Sequence, residues 1–437
     1  MTVVDAPRPC ALPGSPLAHE RAGLDACVHC GFCLPACPTY LALEDENDSP
    51  RGRLLLMGAL LDGTIAPEDP DVRRHLDQCL GCRGCETACP SGVPYGRLLE
   101  ATRATLVART PLPWTARAML WVFARPWALR PILALARGVR GTGLARRLAR
   151  VLPERLAMPF AMLEATRRPA TAAWTPRGDG ARGTAALLTG CVMDGLFDAV
   201  HVAATRTLTH QGWRLVAAPG QRCCGALHAH AGDAETARTL ARANIAAFER
   251  SRAETIVVDS AGCGAMCKEY GHLLADDPTW SARAEAFAAR VRDVTELLAS
   301  AGPRTDTTAA SVSAPIVAPV AVAYDAPCHL QHGQRVVDPP LAVLRATGGI
   351  RLVPLADADQ CCGSAGIFNL TQPHVAERVL DPKLARIAES GASIVATGNP
   401  GCLMQIGGGL VRTGRPVVTR HPVELLDADY ARTESRG

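Results

Sequence analysis

Aromatic residues are scarce in this chain, at 4% of 437 residues, although 48% of the chain is hydrophobic. Much of any core must therefore be built from Ala, Leu and Val. Lysine is nearly absent: Lys268 and Lys383 are the two in the sequence, and Arg carries the remaining positive charge. The net charge of +4 is too small to argue for nucleic acid. No segment reaches the ~18 uninterrupted apolar residues that span a bilayer. The best candidate, Pro111 to Ala124, is broken by Arg117 and stopped by Arg125 and Pro126. Met1 to Cys10 carry no basic-then-apolar signal pattern. No Gly-x-Gly-x-x-Gly follows a strand-like run, so no flavin site is expected on this chain. The expectation is a cytoplasmic chain, soluble or peripheral on the cytoplasmic face of the inner membrane. In a reducing compartment, eighteen cysteines read as metal ligands rather than disulfides.

Cysteine is what the chain has in excess, and its spacing is informative. Cys27, Cys30, Cys33 and Cys37, followed by Pro38, form a C-x2-C-x2-C-x3-C-P run. Cys79, Cys82, Cys85 and Cys89, followed by Pro90, repeat it. This is the bacterial ferredoxin spacing for [4Fe–4S] clusters, in which the fourth cysteine ligates the other cluster. The expected sets are Cys27, Cys30, Cys33 and Cys89 on one cube, and Cys79, Cys82, Cys85 and Cys37 on the second. The prolines are expected to turn the chain away after each fourth ligand. The alternative is zinc, which takes separated C-x2-C pairs in one tetrahedron. Three bunched thiols with a distant fourth suit a cube better.

Four parts are expected along the chain. Residues 1–100 hold the two arrays, with Ser49-Pro50-Arg51-Gly52-Arg53 and a helical run from Leu54 to Leu61 between them. Residues 101–183 form a basic helical connector, ending in a linker from Trp174 to Gly183. Thirteen arginines stand against Glu154 and Glu164 between 101 and 175, with Trp114, Trp121, Phe123 and Trp127 alongside. Such helices suit either an anionic membrane surface or packing on protein partners.

Residues 184–303 and 320–437 read as two α/β domains. Apolar strands at 185–190, 255–259, 320–324 and 393–397 each precede a cysteine, with helical patterns at 234–251 and 374–390 between them. Buried parallel strands with helices on both faces gather ligands at their carboxyl ends. The half is duplicated. Cys191, Cys223-Cys224-Gly225 and Cys263 recur as Cys328, Cys361-Cys362-Gly363 and Cys402, at offsets of 137, 138 and 139 residues. Residues 302–319 read as the linker between copies. Copy one ends in Cys263 and Cys267, spaced x3, and copy two has Gln405 where a second cysteine would stand. These cysteines are candidates for a further cluster or are buried free thiols. His329, beside Cys328, is a candidate ligand or hydrogen-bond partner, with simple packing as the plain alternative.

This half resembles the cysteine-rich, CCG-containing domain of heterodisulfide reductases. The whole order resembles the iron–sulfur subunit family of bacterial glycolate oxidase (glycolate dehydrogenase). Cys27-Val-His-Cys-Gly-Phe-Cys-Leu-Pro-Ala-Cys-Pro-Thr-Tyr40 and Asp325-Ala-Pro-Cys-His-Leu-Gln-His-Gly333 carry that resemblance. It implies an α-helical ferredoxin-like domain with two [4Fe–4S] clusters, then two tandem α/β cysteine-rich domains. It further implies an electron-transfer subunit of an oxidoreductase complex that converts glycolate to glyoxylate. FAD would sit on a partner dehydrogenase subunit, and electrons would pass towards an acceptor such as quinone. Iron–sulfur subunits of D-lactate and anaerobic glycerol-3-phosphate dehydrogenases share the architecture, and a heterodisulfide reductase-like catalytic role is a further alternative.

Overall fold

The computed structural model describes residues 10–169, 173–302 and 318–434, apart from the side chains at 154 and 155. The expected inter-copy linker lies largely outside these residues. Two compact units form. One joins the chain up to Leu120 with Ala226–Ala237 and Gly363–Val379; the other joins Trp121–Gly225, Arg238–Cys362 and the chain from Leu380.

The first unit is helical, around a core that includes Leu17, Leu54, Met57, Leu76, Leu98 and Leu106. Its central helix, Pro50–Leu61, begins where the sequence supplies an N-cap. Ser49 Oγ accepts from Gly52 N at 2.9 Å, and Pro50 takes the first turn, where a missing N–H costs nothing. A side chain at Gly52 would meet Glu46 O at 2.0 Å, so only glycine fits there. The helix buries Leu54, Met57, Leu60 and Leu61 and leaves Leu55 exposed. Arg103, on helix Tyr95–Arg109, ties the 226–237 segment to the second array. Its Nη1 donates to His230 O at 2.8 Å, and its Nη2 donates to Leu76 O at 2.8 Å and Cys79 O at 2.7 Å.

The second unit holds two parallel four-stranded sheets. In one, β1 (Thr184–Leu188), β2 (Arg214–Leu215), β3 (Thr255–Val258) and β4 (Val291–Asp293) run in the order β2-β1-β3-β4. In the other, β5 (Val320–Tyr324), β6 (Ile350–Val353), β7 (Ile394–Ala396) and β8 (Val418–Arg420) run in the order β6-β5-β7-β8. The duplication in sequence is therefore a duplication of topology. The four strands legible in the sequence are the central ones, apolar because both faces are covered. Helix Asp198–His210 packs on Pro422–Glu434, and Val294–Ala301 packs on Asp338–Ala346. One core runs through both copies, with Phe197 and Val257 joined to Val343, Leu403 and Leu426. The segment after Trp174 is pinned at its start: Trp174 Nε1 donates to buried Asp427 Oδ1 at 2.8 Å, and Arg206 pairs with the same carboxylate.

Candidate metal centres

Each ferredoxin-spaced array is a tight loop, and the two loops bend in the same places. His29 and Gly31 have φ of +54° and +86°, and Gly81 and Arg83 have φ of +63° at both positions. Each array thus places one glycine and one side-chain-bearing residue in the left-handed region, in swapped order. The non-glycine member costs about 1 kcal/mol in each loop, a strain that C-x2-C-x2-C wrapping imposes. The prolines act differently from each other. Cys37 caps helix Pro38–Leu43 and Pro38 opens it, whereas Cys89 closes helix Gly84–Ala88 ahead of Pro90. Pro38 starts a helix rather than opposing one, because a first-turn N–H is unused in any case.

The thiols of the two arrays mix. One small cavity is lined by Cys27, Cys30 and Cys33 from the first array and by Cys85 and Cys89 from the second. Burial pushes the Cys85 thiol well up, and Cys82, Cys79 and Cys37 push it further. The Cys33 thiol is raised by burial, with Cys27 and Cys37 adding to it. Thiols that oppose one another's ionisation suit a cation-rich group that takes thiolates. Cys30 is exposed, while Cys37, Cys79 and Cys85 are buried.

Donors surround the buried thiols. Gly81 N lies 3.4 Å and Tyr95 Oη 3.6 Å from Cys79 Sγ, both donating. Thr39 Oγ1 lies 3.3 Å from Cys37 Sγ. Arg53, fully buried, donates to Thr39 Oγ1 and Asp48 Oδ1 at 3.0 Å and to His75 O at 2.8 Å. Burial opposes its charge, but Cys79, Tyr95 and Cys37, then Asp48, hold the guanidinium firmly protonated.

In the duplicated half, the cysteines converge at the carboxyl ends of the central strands. In copy one, Cys191 is hydrogen-bonded to Cys223, and Cys224 to Cys223 and Cys263; these bonds, then burial, push the Cys191 and Cys224 thiols well up. Asn244 Nδ2 donates to Cys223 O at 3.0 Å, and Tyr270 Oη donates to Cys224 O at 2.7 Å, fixing the Cys-Cys backbone. Cys267 shares its helix with Cys263 and is buried against the Tyr270 hydroxyl; burial raises its thiol. In copy two, Cys362 is hydrogen-bonded to Cys361 and Cys402. Cys328 Sγ lies 3.4 Å from His329 Nδ1, and Gln405 is buried in the helix that carries Cys402.

Two buried ion pairs flank these clusters and were not legible as site residues. His201 Nδ1 donates to Asp259 Oδ2 at 2.6 Å and its Nε2 donates to Thr189 O at 3.0 Å. Lys383 Nζ donates to Asp325 Oδ1 at 2.6 Å and to the carbonyls of Asp357 and Ala358 at 3.1 and 3.2 Å. The sequence did hold a signal for the second, since Lys383 is one of two lysines.

Comparison with known proteins agrees with this arrangement. Residues 23–93 match the family model of a 4Fe-4S dicluster domain, and residues 185–268 and 322–407 each match that of a cysteine-rich domain. The chain is 37% identical over 417 residues to the probable glycolate oxidase iron-sulfur subunit of Bacillus subtilis (strain 168), covering 92% of each chain. It is 34% identical to the glycolate oxidase iron-sulfur subunit of Escherichia coli (strain K12), covering 92% of this chain and 93% of that one. It is also 34% identical to lactate utilization protein A of an Exiguobacterium species, covering 55% of this chain and 96% of that protein. Similar to such subunits along nearly its whole length, with a 4Fe-4S dicluster domain followed by two cysteine-rich domains, the chain belongs to the family of glycolate oxidase iron–sulfur subunits, the electron-transfer components of an oxidoreductase complex.

Proposed function

We propose that Cys27, Cys30, Cys33 and Cys89 hold one [4Fe–4S] cluster, and that Cys79, Cys82, Cys85 and Cys37 hold a second. The observation that carries this is the crossing of the arrays: Cys89, with Cys85 beside it, lines one cavity with Cys27, Cys30 and Cys33. The repulsion of Cys85 by Cys82, Cys79 and Cys37 supports the other set. Such clusters, when bound, accept and pass on single electrons. The chain's own residues set their environment. Gly81 N–H and Tyr95 O–H donate to Cys79, and Arg53 brings a buried positive charge beside Cys37 and Cys79. Each favours added negative charge and so raises a potential. In copy one, Cys191, Cys223, Cys224 and Cys263 are the candidate ligands of a further cluster. In copy two the same role falls to Cys328, Cys361, Cys362 and Cys402, with Gln405 in place of an additional thiol.

The complex, in this reading, oxidises glycolate to glyoxylate. A partner flavoprotein carrying FAD takes two electrons from the 2-hydroxy acid, and this chain relays them singly towards an acceptor such as quinone. The four-part division at 1–100, 101–183, 184–303 and 320–437 is the corresponding domain plan. Among the described residues no single helix is long and apolar enough to cross a membrane. Trp127 and Leu135 are nonetheless exposed on the arginine-rich Pro126–Gly141 helix, which supports peripheral contact with the cytoplasmic face of the inner membrane. The similarity to lactate utilization protein A favours lactate as the second substrate reading.

The test is iron analysis with visible absorption and EPR spectra after dithionite. Two clusters in the arrays require loss of part of the absorbance near ~400 nm in Cys30→Ser, of another part in Cys82→Ser, and of both in the double variant. Zinc in place of iron would refute the reading. Assays of the co-purified complex with glycolate, D-lactate and glycerol-3-phosphate then separate the substrates.

A further inference from the structure

A cavity of about 1120 Å³ opens within the second unit, beside the thiols of copy one. Its floor is the carboxyl end of β1, where Gly190 and Cys191 lie next to Cys223. Its walls are largely apolar, with Leu187 and Leu215 from the sheet and Leu129 and Leu133 from the Pro126–Gly141 helix, and Arg130, Arg137, Arg206, Arg222 and Asp194 add charge to the lining. Bound small molecules commonly occupy ~300–1,000 Å³, so the space takes a ring system and a sizeable substituent.

Three further observations narrow the ligand. First, the Pro126–Gly141 helix is apolar on two sides. Leu129 and Leu133 face the cavity, while Trp127, Ile132 and Leu135 are 68%, 52% and 70% exposed. A helix packed on one core needs only one apolar stripe, so a second marks an interaction surface. Second, tryptophan beside arginine is the chemistry of the membrane interface, and here the Arg125 guanidinium sits 4.5 Å above the Trp121 ring, which contacts Trp127 edge-on. Third, His201 lies in the cavity lining with both ring nitrogens donating, to Asp259 and to Thr189 O. Two acceptors require two N–H groups, so the ring is an imidazolium, held in an ion pair with Asp259 beside the floor.

We propose that this cavity binds a membrane quinone, with its ring against the Cys191–Cys223 floor and its isoprenoid tail leaving along the Pro126–Gly141 helix. The proposal rests on the electron-relay reading above and adds the place where the acceptor binds. The quinone is the oxidant and the 2-hydroxy acid, through the flavoprotein, the reductant. Two electrons arrive singly and two protons enter from water at the mouth; quinone becomes quinol, and no bond to the protein forms or breaks. Arg130 and Arg222 of the lining, with the His201 imidazolium, favour the negative charge that the first electron places on the ring.

Blocking variants from opposite walls test the site. Val202 and Ala134 both line the cavity and both are exposed, so Val202→Trp and Ala134→Trp fill space without opening the core. An azido-quinone is photolysed with the intact complex, and labelled peptides are mapped; retained iron content and visible spectrum show that each variant folds. The proposal expects label within residues 126–137 or 187–223, displaced by excess decylubiquinone, and reduced at least tenfold in both variants. Label elsewhere, or label that neither tryptophan reduces, overturns it. Labelling needs no hydroxy-acid oxidation. A complex that labels as expected but whose clusters no hydroxy acid reduces keeps the site and loses the relay reading.

Discussion

Arg53 and Cys37 are joined through one hydroxyl: Arg53 Nη1 donates to Thr39 Oγ1 at 3.0 Å, and that oxygen lies 3.3 Å from Cys37 Sγ. The same guanidinium neutralises buried Asp48. A unit charge a few ångströms from a redox centre, at an effective dielectric of about 20, is worth about 3 kcal/mol. Arg53→Met should therefore lower the potential of the Cys79–Cys82–Cys85–Cys37 centre by on the order of 100 mV in an EPR-monitored redox titration. Arg53→Lys should retain much of that potential. Unpairing Asp48 should also cost Arg53→Met about 3–5 kcal/mol of stability, read in thermal unfolding.

The crossed ligand sets give a pairing test. Cys89→Ser should remove the same EPR signal as Cys30→Ser, although Cys89 lies in the other array. Cys37→Ser should match Cys82→Ser in the same way. Matching by array instead of across arrays would show that each run closes on its own cube.

His201 gives a pH dependence. Burial opposes its charge, yet Asp259 at 2.6 Å raises its pKa from 6.5 to about 9. A value raised by folding means that the stabilisation is complete below pH 6.5 and is lost as pH rises through about 9. Its full size is about 3 kcal/mol. Melting temperature should therefore fall between these two pH values, and His201→Gln should flatten that part of the profile while lowering stability at pH 6.

Lys383 and Asp325 behave as one unit, since Asp325 Oδ2 also accepts from Thr397 Oγ1 at 2.9 Å. Lys383→Met leaves a carboxylate buried without its cation and should cost about 3–5 kcal/mol. Lys383→Met combined with Asp325→Asn should recover part of that loss. A double variant as unstable as the sum of the singles would show that the two residues act independently.

Most of the framework was legible in the sequence. The central strands β1, β3, β5 and β7 stood out because a strand covered on both faces reads as an unbroken apolar run. The edge strands did not: β2 is Arg214-Leu215, and β4 places Arg292 between Val291 and Asp293, too short and too polar for a period to show. Helix 234–251 was legible in full, as was most of 373–389, because amphipathic periodicity accumulates over many residues. The thiols were legible from spacing, but their surroundings were not. Arg53 meets Thr39 and His75, and His201 meets Asp259, across 14, 22 and 58 residues, contacts that only the fold supplies. The stretch after Trp174 reads as a linker by composition, yet the Trp174 indole is held by Asp427 at the far end of the chain.

The central claim is that electrons from a 2-hydroxy acid enter this chain's clusters. Anaerobic addition of glycolate to the intact complex with its flavoprotein, followed by rapid freezing and EPR, measures it directly. The account predicts reduced [4Fe–4S] signals within a turnover, absent in the Cys30→Ser Cys82→Ser double variant. A flavin that is reduced by glycolate while every cluster of this chain stays oxidised would contradict it.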